Sequence, residues 1–140
     1  MTQKDIYIPN KRAKFEYHIL DDFVAGIQLQ GTEVKSIRNM KASIKEAYCD
    51  VQENEVYIRN MHIAEYSLGS HYNHKPRRDR KLLLNRQEIH KIEKKLKDNG
   101  VTLIPLSLFV TDRGLVKIKI ALAKGKKLHD KRHDLKQKDD

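Results

Sequence analysis

The sequence predicts a mainly β protein: a small antiparallel β-barrel of about six short strands, with flanking helices and a basic C-terminal tail. Three observations carry that expectation. Apolar residues alternate with polar ones at period two along much of the chain, most clearly at Ile104, Leu106, Leu108 and Val110, then at Val116, Ile118, Ile120 and Leu122. These runs are separated by turn-forming residues at short intervals, a spacing that favours a barrel over a parallel sheet. From Ala123-Lys124-Gly125-Lys126-Lys127-Leu128-His129-Asp130-Lys131-Arg132 to Asp140 there is no apolar stripe, so a polar arm trails the last strand.

In chain order, Phe15, Tyr17 and Ile19 alternate with Glu16 and His18, and Ala25, Ile27 and Leu29 alternate with Gly26 and Gln28. They read as two strands joined by a turn near Asp21-Asp22. Gly31-Thr32 opens a short helix, Glu33 to Arg38, with Thr32 as N-cap. Ala47, Cys49 and Val51 mark one face of a third strand, and residues 52–55 turn the chain into a fourth, from Val56-Tyr57-Ile58 toward Ile63. Residues 64–81 read as a loop rich in Ser, Gly, His, Asn and Pro that ends in Arg77-Arg78-Asp79-Arg80-Lys81. Asn85 with Glu88 three residues on is a capping-box pattern. Ile89, Ile92 and Leu96 share a helical face, and Asn99-Gly100 stops that helix. In the final strand Lys117 and Lys119 fall opposite the aliphatic row. A slip of one residue would bury both charges, which fixes the register.

The length, 140 residues, suits one domain. Residues 1–123 form the expected barrel domain and residues 124–140 the tail, disordered when free because its apolar content is too small to offset the entropy of ordering. Net charge is +10, from 29 Lys and Arg against 19 Asp and Glu, which points to a polyanionic partner. Cys49 is the one cysteine, so an intramolecular disulfide and a tetracysteine zinc site are excluded. No apolar run approaches membrane-spanning length and no signal peptide is visible, so a soluble cytoplasmic protein, without membrane attachment and monomeric, is expected.

Catalytic signatures are sparse. There is no Walker-type phosphate loop and no nucleophile elbow. Asp21 and Asp22 are adjacent and serve a turn more readily than catalysis. His129 and His133 would share one face of a helix, with Asp130 and Asp134 near, yet Lys124, Lys126, Lys127, Lys131, Arg132 and Lys136 would repel a divalent cation. His71 and His74 sit in the basic loop. No metal, no cofactor and no catalytic residue is expected; a hydrolase using the His and Asp pairs is the enzymatic alternative, and a chelator would distinguish it. Three basic clusters remain: Lys11-Arg12-Lys14, Arg77-Arg78-Arg80-Lys81 and the tail. Each alone reads as a solvated face. Together, on a small barrel, they indicate a binder of structured RNA. With no Trp, base stacking falls to Tyr, Phe, His or Arg, and half or more of Tyr7, Tyr17, Tyr48, Tyr57, Tyr66 and Tyr72 are expected to be structural.

Ordered motifs then bring a family into view. Asn10-Lys11-Arg12-Ala13, Glu16-Tyr17, Ala25-Gly26-Ile27, Gly31-Thr32-Glu33-Val34-Lys35-Ser36, Asn60-Met61-His62-Ile63, Arg80-Lys81-Leu82-Leu83-Leu84, and Ala123-Lys124-Gly125-Lys126-Lys127 with Asp130-Lys131-Arg132 run nearly end to end. In this order they resemble the small protein B family, the bacterial SsrA-binding proteins. The resemblance implies an oligonucleotide-binding (OB) type barrel that binds the tRNA-like domain of transfer-messenger RNA and delivers it to stalled ribosomes for trans-translation. It implies no bond chemistry; alanyl-tRNA synthetase and elongation factor Tu act on the same RNA. Asn10, Gly31, Glu33, Lys35 and Leu83 match positions the family associates with the RNA surface or its support, and Lys11, Arg12, Arg77, Arg78, Arg80 and Lys81 are expected beside them. Lys124, Lys126, Lys127, His129, Asp130, Lys131 and Arg132 match a tail that enters the messenger channel near the small-subunit decoding region.

Two departures stand out. The family often has Glu where this chain has Val24, so a neighbour such as Asp22 would have to supply that contact. Relatives commonly continue with more basic sequence beyond Lys138-Asp139-Asp140. Glu33→Ala is expected to weaken RNA binding with little change in melting temperature. The competing non-enzymatic reading is a general ribosome-associated OB-type factor without a dedicated RNA.

Overall fold

A computed structural model of the chain describes residues 6–69 and 72–127. Nine strands and three helices follow in the order β1 (Tyr7–Pro9), α1 (Ala13–Glu16), β2 (Tyr17–Ile27), α2 (Gly31–Arg38), β3 (Ala42–Ser43), β4 (Tyr48–Gln52), β5 (Glu55–Arg59), β6 (His62–Ile63), β7 (Arg80–Leu83), α3 (Arg86–Lys95), β8 (Val101–Val110) and β9 (Val116–Gly125). The sheet order is β8-β4-β5-β7-β2-β9, and β9 pairs back onto β8, so six antiparallel strands close a ring. Closure removes the unpaired edges of an open sheet. β1 adds to β8 outside the ring, and β3 pairs with β6 in a separate ribbon.

The expected count of six strands agrees with the ring, but its membership differs. The two strands expected on either side of Asp21-Asp22 are one eleven-residue strand, β2, preceded by α1, which takes in Phe15 and Glu16. There is no turn at Asp21-Asp22. Leu20 is instead an extra residue in β2: Ile19 pairs with Ala123 and Asp21 with Leu122. A bulge adds one residue and switches the face that alternate side chains point to. Tyr17 and Ile19 therefore lie outside the barrel against α1, whereas Phe23, Ala25 and Ile27 point into it, although all five are odd-numbered. The ring's remaining strand is β7, which forms at the end of the segment read as a loop.

β8 repeats the device. The register shifts between Pro105 and Ser107, and the aliphatic row divides: Ile104 and Leu106 pack with Ala13 of α1, while Leu108 and Val110 face the interior. The β9 row stays whole, with Ile118, Ile120 and Leu122 in the core and Lys117 and Lys119 outside, as expected. β9 also continues through Lys124 and Gly125, which pair with His18 and Tyr17, so the first two residues assigned to the tail belong to the barrel.

α3 closes one end of the ring with Ile89 and Ile92. Its capping box is formed as expected, with the Asn85 side-chain Oδ1 accepting from the Glu88 N–H at 2.8 Å and the Glu88 carboxylate accepting from the Asn85 N–H at 3.1 Å. Gly100, at φ +80°, reverses the chain into β8. The expected run from Val56 to Ile63 breaks at Asn60, whose φ of +60° ends β5 and starts β6. α2 starts two residues early, at Gly31. Its N-cap is Gln30, not Thr32, because Glu33 at the third helical position accepts from the Gln30 N–H at 2.8 Å.

Candidate nucleic-acid interface

Thr32, released from capping, meets the ring of His74 at 2.9 Å. The other His74 nitrogen lies 2.8 Å from the Ile63 carbonyl, which fixes it as the donor and leaves Nδ1 to accept from the threonine hydroxyl. His74 thus holds the segment after β6 against the first turn of α2.

Glu33, beside it, is completely buried. Its Oε1 accepts from Arg78 Nη2 at 2.6 Å and its Oε2 from Arg80 Nε at 2.5 Å. Arg80 is also fully buried, and its remaining nitrogens donate to the carbonyls of Met61 (2.7 Å) and Pro76 (3.1 Å). Burial alone would push the Glu33 carboxyl up, but hydrogen bonds from Arg78, the Gln30 N–H and Arg80 outweigh it and hold the group below the usual carboxylate range. Burial draws Arg80 down from its ordinary value, yet a guanidinium stays charged at any pH of interest. These residues form an ionic knot that joins α2, the 64–79 segment and β7.

That arrangement corrects two expectations. Arg80 offers no surface for a phosphate in this conformation; it holds β7 in place. Removing the Glu33 carboxylate would strand a buried guanidinium, a change that typically costs about 3–5 kcal/mol, so Glu33→Ala would lower the melting temperature strongly. Arg78 is half-buried, with Nη2 shared between Glu33 and the Gln28 carbonyl. Lys81 faces outward and pairs with Glu55 at 3.4 Å.

The remaining expected residues divide between two places. Lys11 and Arg12 line a groove of about 320 Å³ with Lys45, and Lys45 also lines an adjoining one with His62 and Arg77. Two basic clusters far apart in sequence therefore converge on Lys45. Asn10 supports this side from below, its side chain donating to Pro105 O at 2.9 Å and its N–H to Leu106 O at 2.8 Å.

The second place is the outer face of β7, β2, β9, β8 and β1. Cross-strand pairing lays out one row: Leu83, Gly26, Lys117, Phe109 and Tyr7. Val24, Lys119, Ser107 and Pro9 form the next. α1 covers the lower half of this face and leaves the upper half open. Leu83, Val24, Tyr7 and Leu115 are each about half exposed (49–56%), an unusual density of large apolar groups beside lysines. Leu83, Val34, Leu115 and Gly26 line a depression of about 280 Å³ there. A Cβ on Gly26 would lie 3.3 Å from Leu83 Cβ, so Gly26 lets Leu83 sit low across the strand. Lys117 makes no ion pair among the described residues, and Lys119 reaches Asp22 only at 3.8 Å. Asp22 and Val24 lie on the same face, so a carboxylate stands one outward position from Val24.

Gly31 is exposed at the start of α2, and a Cβ there would meet nothing within 4 Å. Lys35 lies 5.5 Å from the centre of the Tyr66 ring. None of the six tyrosines is fully buried: Tyr17 packs on α1, Tyr57 lies under Arg59 and Tyr66 under Lys35, while Tyr7, Tyr48 and Tyr72 are exposed. Burial raises the Cys49 thiol far above its ordinary value, and Asp50 adds to this, so it is unreactive. No group of His, Cys, Asp or Glu among the described residues could hold a metal ion, and no helix among them is long and apolar enough to cross a membrane.

Sequence reasoning missed Lys45 and Phe109 as site residues, singled out Tyr7 only as one of six tyrosines that could stack bases, and treated Lys117 and Lys119 only as solvent-facing. The alternation around the two lysines was the available signal. The convergence on Lys45 had none, because it depends on the placement of β3. His71, His129, Asp130, Lys131 and Arg132 lie outside the described residues. Residues 124–127 hold three lysines and no acid, whereas in 128–140 Lys131, Arg132, Lys136 and Lys138 are matched by Asp130, Asp134, Asp139 and Asp140.

Comparison with known proteins follows the same lines. The family model described as SmpB protein matches residues 7–140. The SsrA-binding protein of Bacteroides thetaiotaomicron is 52% identical over 140 residues, covering 100% of this chain and 93% of the relative. That of Cytophaga hutchinsonii is 53% identical over 136 residues, covering 97% and 89%. A solved chain from a study of tmRNA-SmpB in the bacterial ribosome superposes with a TM-score of 0.73 at 41% identity, covering 88% of this chain and 86% of that one. With its closed ring and a match to the family model over residues 7–140, this chain belongs to the SmpB protein family.

Proposed function

We propose that this protein binds the tRNA-like domain of transfer-messenger RNA and delivers it to stalled ribosomes, where trans-translation rescues the ribosome and tags the incomplete peptide. The observation that carries this reading is the open face of the barrel in a chain of this family. Lys117 and Lys119 can displace counterions from phosphates. Leu83, Val24, Tyr7 and Leu115 can cover the flat, unstacked bases that a folded RNA exposes, and recognition there is by shape. Gly31 leaves room for close approach, and the Glu33–Arg78–Arg80 knot fixes α2 and β7 at the rim.

The role assigned to the protein is binding and delivery, with no covalent step. Lys11, Arg12, Lys45 and Arg77 form a second basic side, suited to ribosomal RNA while transfer-messenger RNA occupies the first. Residues 126–140 act as the tail that reaches the messenger channel near the decoding region, with Lys124 and Gly125 serving as its anchored root in β9. This work takes place in the cytoplasm.

The test is recovery of RNA that co-purifies with the protein from cells, followed by binding to ribosomes with and without that RNA. Enrichment of a single tRNA-like species, and ribosome binding that depends on it, is the expected result. Equal ribosome binding with or without transfer-messenger RNA would favour a general ribosome-associated factor.

A further inference from the structure

Tyr66 and Asn73 are closed onto each other by an unusually well built clamp. The Asn73 side chain clamps both groups of Tyr66: its Oδ1 accepts from the Tyr66 N–H at 3.2 Å and its Nδ2 donates to the Tyr66 carbonyl at 2.9 Å. The same Oδ1 accepts from the His74 N–H at 3.1 Å, and the Gly69 N–H donates to the Tyr66 carbonyl at 2.8 Å. A Cβ on Gly69 would lie 2.5 Å from Asn73 Nδ2, so only glycine fits there without shifting the clamp. Below the clamp, buried His74 bonds to Thr32 and Ile63. The clamp is thus fastened to the first turn of α2.

This scaffold raises two large apolar side chains into solvent. Leu68 is 82% exposed and Tyr72 is 79% exposed, the most exposed large hydrophobic residues described. Single exposed apolar residues are ordinary on protein surfaces. Two such side chains, each within two residues of one clamped pair, are less ordinary. The surroundings are cationic: Lys35 sits against Tyr66, and exposed Lys75 and Arg77 follow His74. α2 connects the clamp to the open face, since Val34 lines the depression with Leu83 while the next residue, Lys35, meets Tyr66.

We propose that Tyr72 and Leu68 hold an unpaired base of the same RNA that seats on the open face, with Tyr72 stacking on the base and Leu68 covering its edge. Lys35 and Lys75 take the flanking phosphates. An aromatic ring with nearby cations suits a nucleotide, whereas a protein partner would be served as well without the lysines. The proposal rests on the functional reading above and extends it by one contact outside the barrel.

Full-length protein is titrated with end-labelled transfer-messenger RNA and followed by fluorescence anisotropy, with thermal melting as a folding control. Tyr72→Ala should weaken binding about fivefold and the Tyr72→Ala/Leu68→Ser pair about tenfold, without a change in melting temperature; stacked bases contribute on this scale. Tyr72→Phe should stay within about twofold, since the ring is kept. If the pair binds within about twofold of wild type while Leu83→Asp loses tenfold, Tyr72 and Leu68 make no RNA contact and the proposal is wrong, although the functional reading stands. If the pair keeps its RNA affinity but loses ribosome binding, the two side chains serve another partner and the proposal is again overturned. If wild type shows no preference for transfer-messenger RNA over an unrelated folded RNA of equal length, the functional reading fails first.

Discussion

The barrel has two outer faces, both built from alternate residues of antiparallel strands, and they treat charge in opposite ways. On β4, β5 and β7 nearly every ion has a partner. Arg59 bonds to Asp50 at 2.9 Å, Asp79 at 2.8 Å and Gln52 at 2.8 Å while lying over the Tyr57 ring, and Lys81 pairs with Glu55. On β2, β9, β8 and β1 Lys117 and Lys119 are spread among half-exposed apolar side chains, and among the described residues the one acid either pairs with is Asp22, 3.8 Å from Lys119. The lesson is that net charge does not locate a binding face. A cation already neutralised by carboxylates displaces few of the counterions condensed on a polyanion, whereas Lys117 and Lys119 are placed to displace them. β7 is the seam: Lys81 turns to the paired face and Leu83 to the open one.

Breaking the seam should have the largest effect. Glu33→Ala strands buried Arg80 and is expected to destabilise the fold by about 3–5 kcal/mol, read as a fall in the thermal or urea midpoint. Both faces are then lost together, so any loss of RNA binding must be measured at a temperature where the variant is folded. The same carboxylate gives a pH signature. Its folded pKa lies below its unfolded value, so its contribution is present above the unfolded carboxylate range and is lost as pH falls through the lowered folded value. Urea midpoints should therefore drop on acidification, and Glu33→Gln should flatten that dependence.

Changes confined to the open face should leave the fold alone. Lys117→Glu with Lys119→Glu is expected to weaken binding to transfer-messenger RNA by at least tenfold, about 1.4 kcal/mol, with an unchanged melting temperature. In the wild type, neutralisation of about five phosphates would give a log K against log salt slope of roughly −4; the double variant should show a shallower slope by about two. A wild-type slope near zero would remove the electrostatic basis of the comparison.

The smallest effects belong to the paired face. Arg59→Ala should cost no more than about 1 kcal/mol, the usual scale for partly exposed ion pairs, and should leave RNA affinity within twofold. A large loss of affinity in Arg59→Ala would merge the two faces into one site.

Much of this was legible in the sequence. The β9 row and the α3 capping box follow from local spacing, and the family motifs run in order along the chain. The bulges at Leu20 and Leu106 were not legible, because a switch of face leaves odd-even alternation in the sequence intact: Tyr17 and Phe23 look equivalent there and lie on opposite sides of the wall. Glu33 was misplaced for a related reason. A carboxylate in the first turn of a helix reads as a dipole partner at the surface, and its two arginines arrive from 45 and 47 residues away. Arg80 carried the same ambiguity inside a basic run, where one buried guanidinium looks like its exposed neighbours.

Hydroxyl-radical footprinting of the full chain with and without transfer-messenger RNA compares the faces most directly, since both carry oxidisable exposed side chains. Leu83, Leu115, Val24 and Tyr7 should be protected by the RNA, while Tyr48, equally exposed on the paired face, should oxidise at the same rate in both samples. Protection of Tyr48 with Leu83 and Val24 left reactive would contradict the assignment of the RNA to the open face.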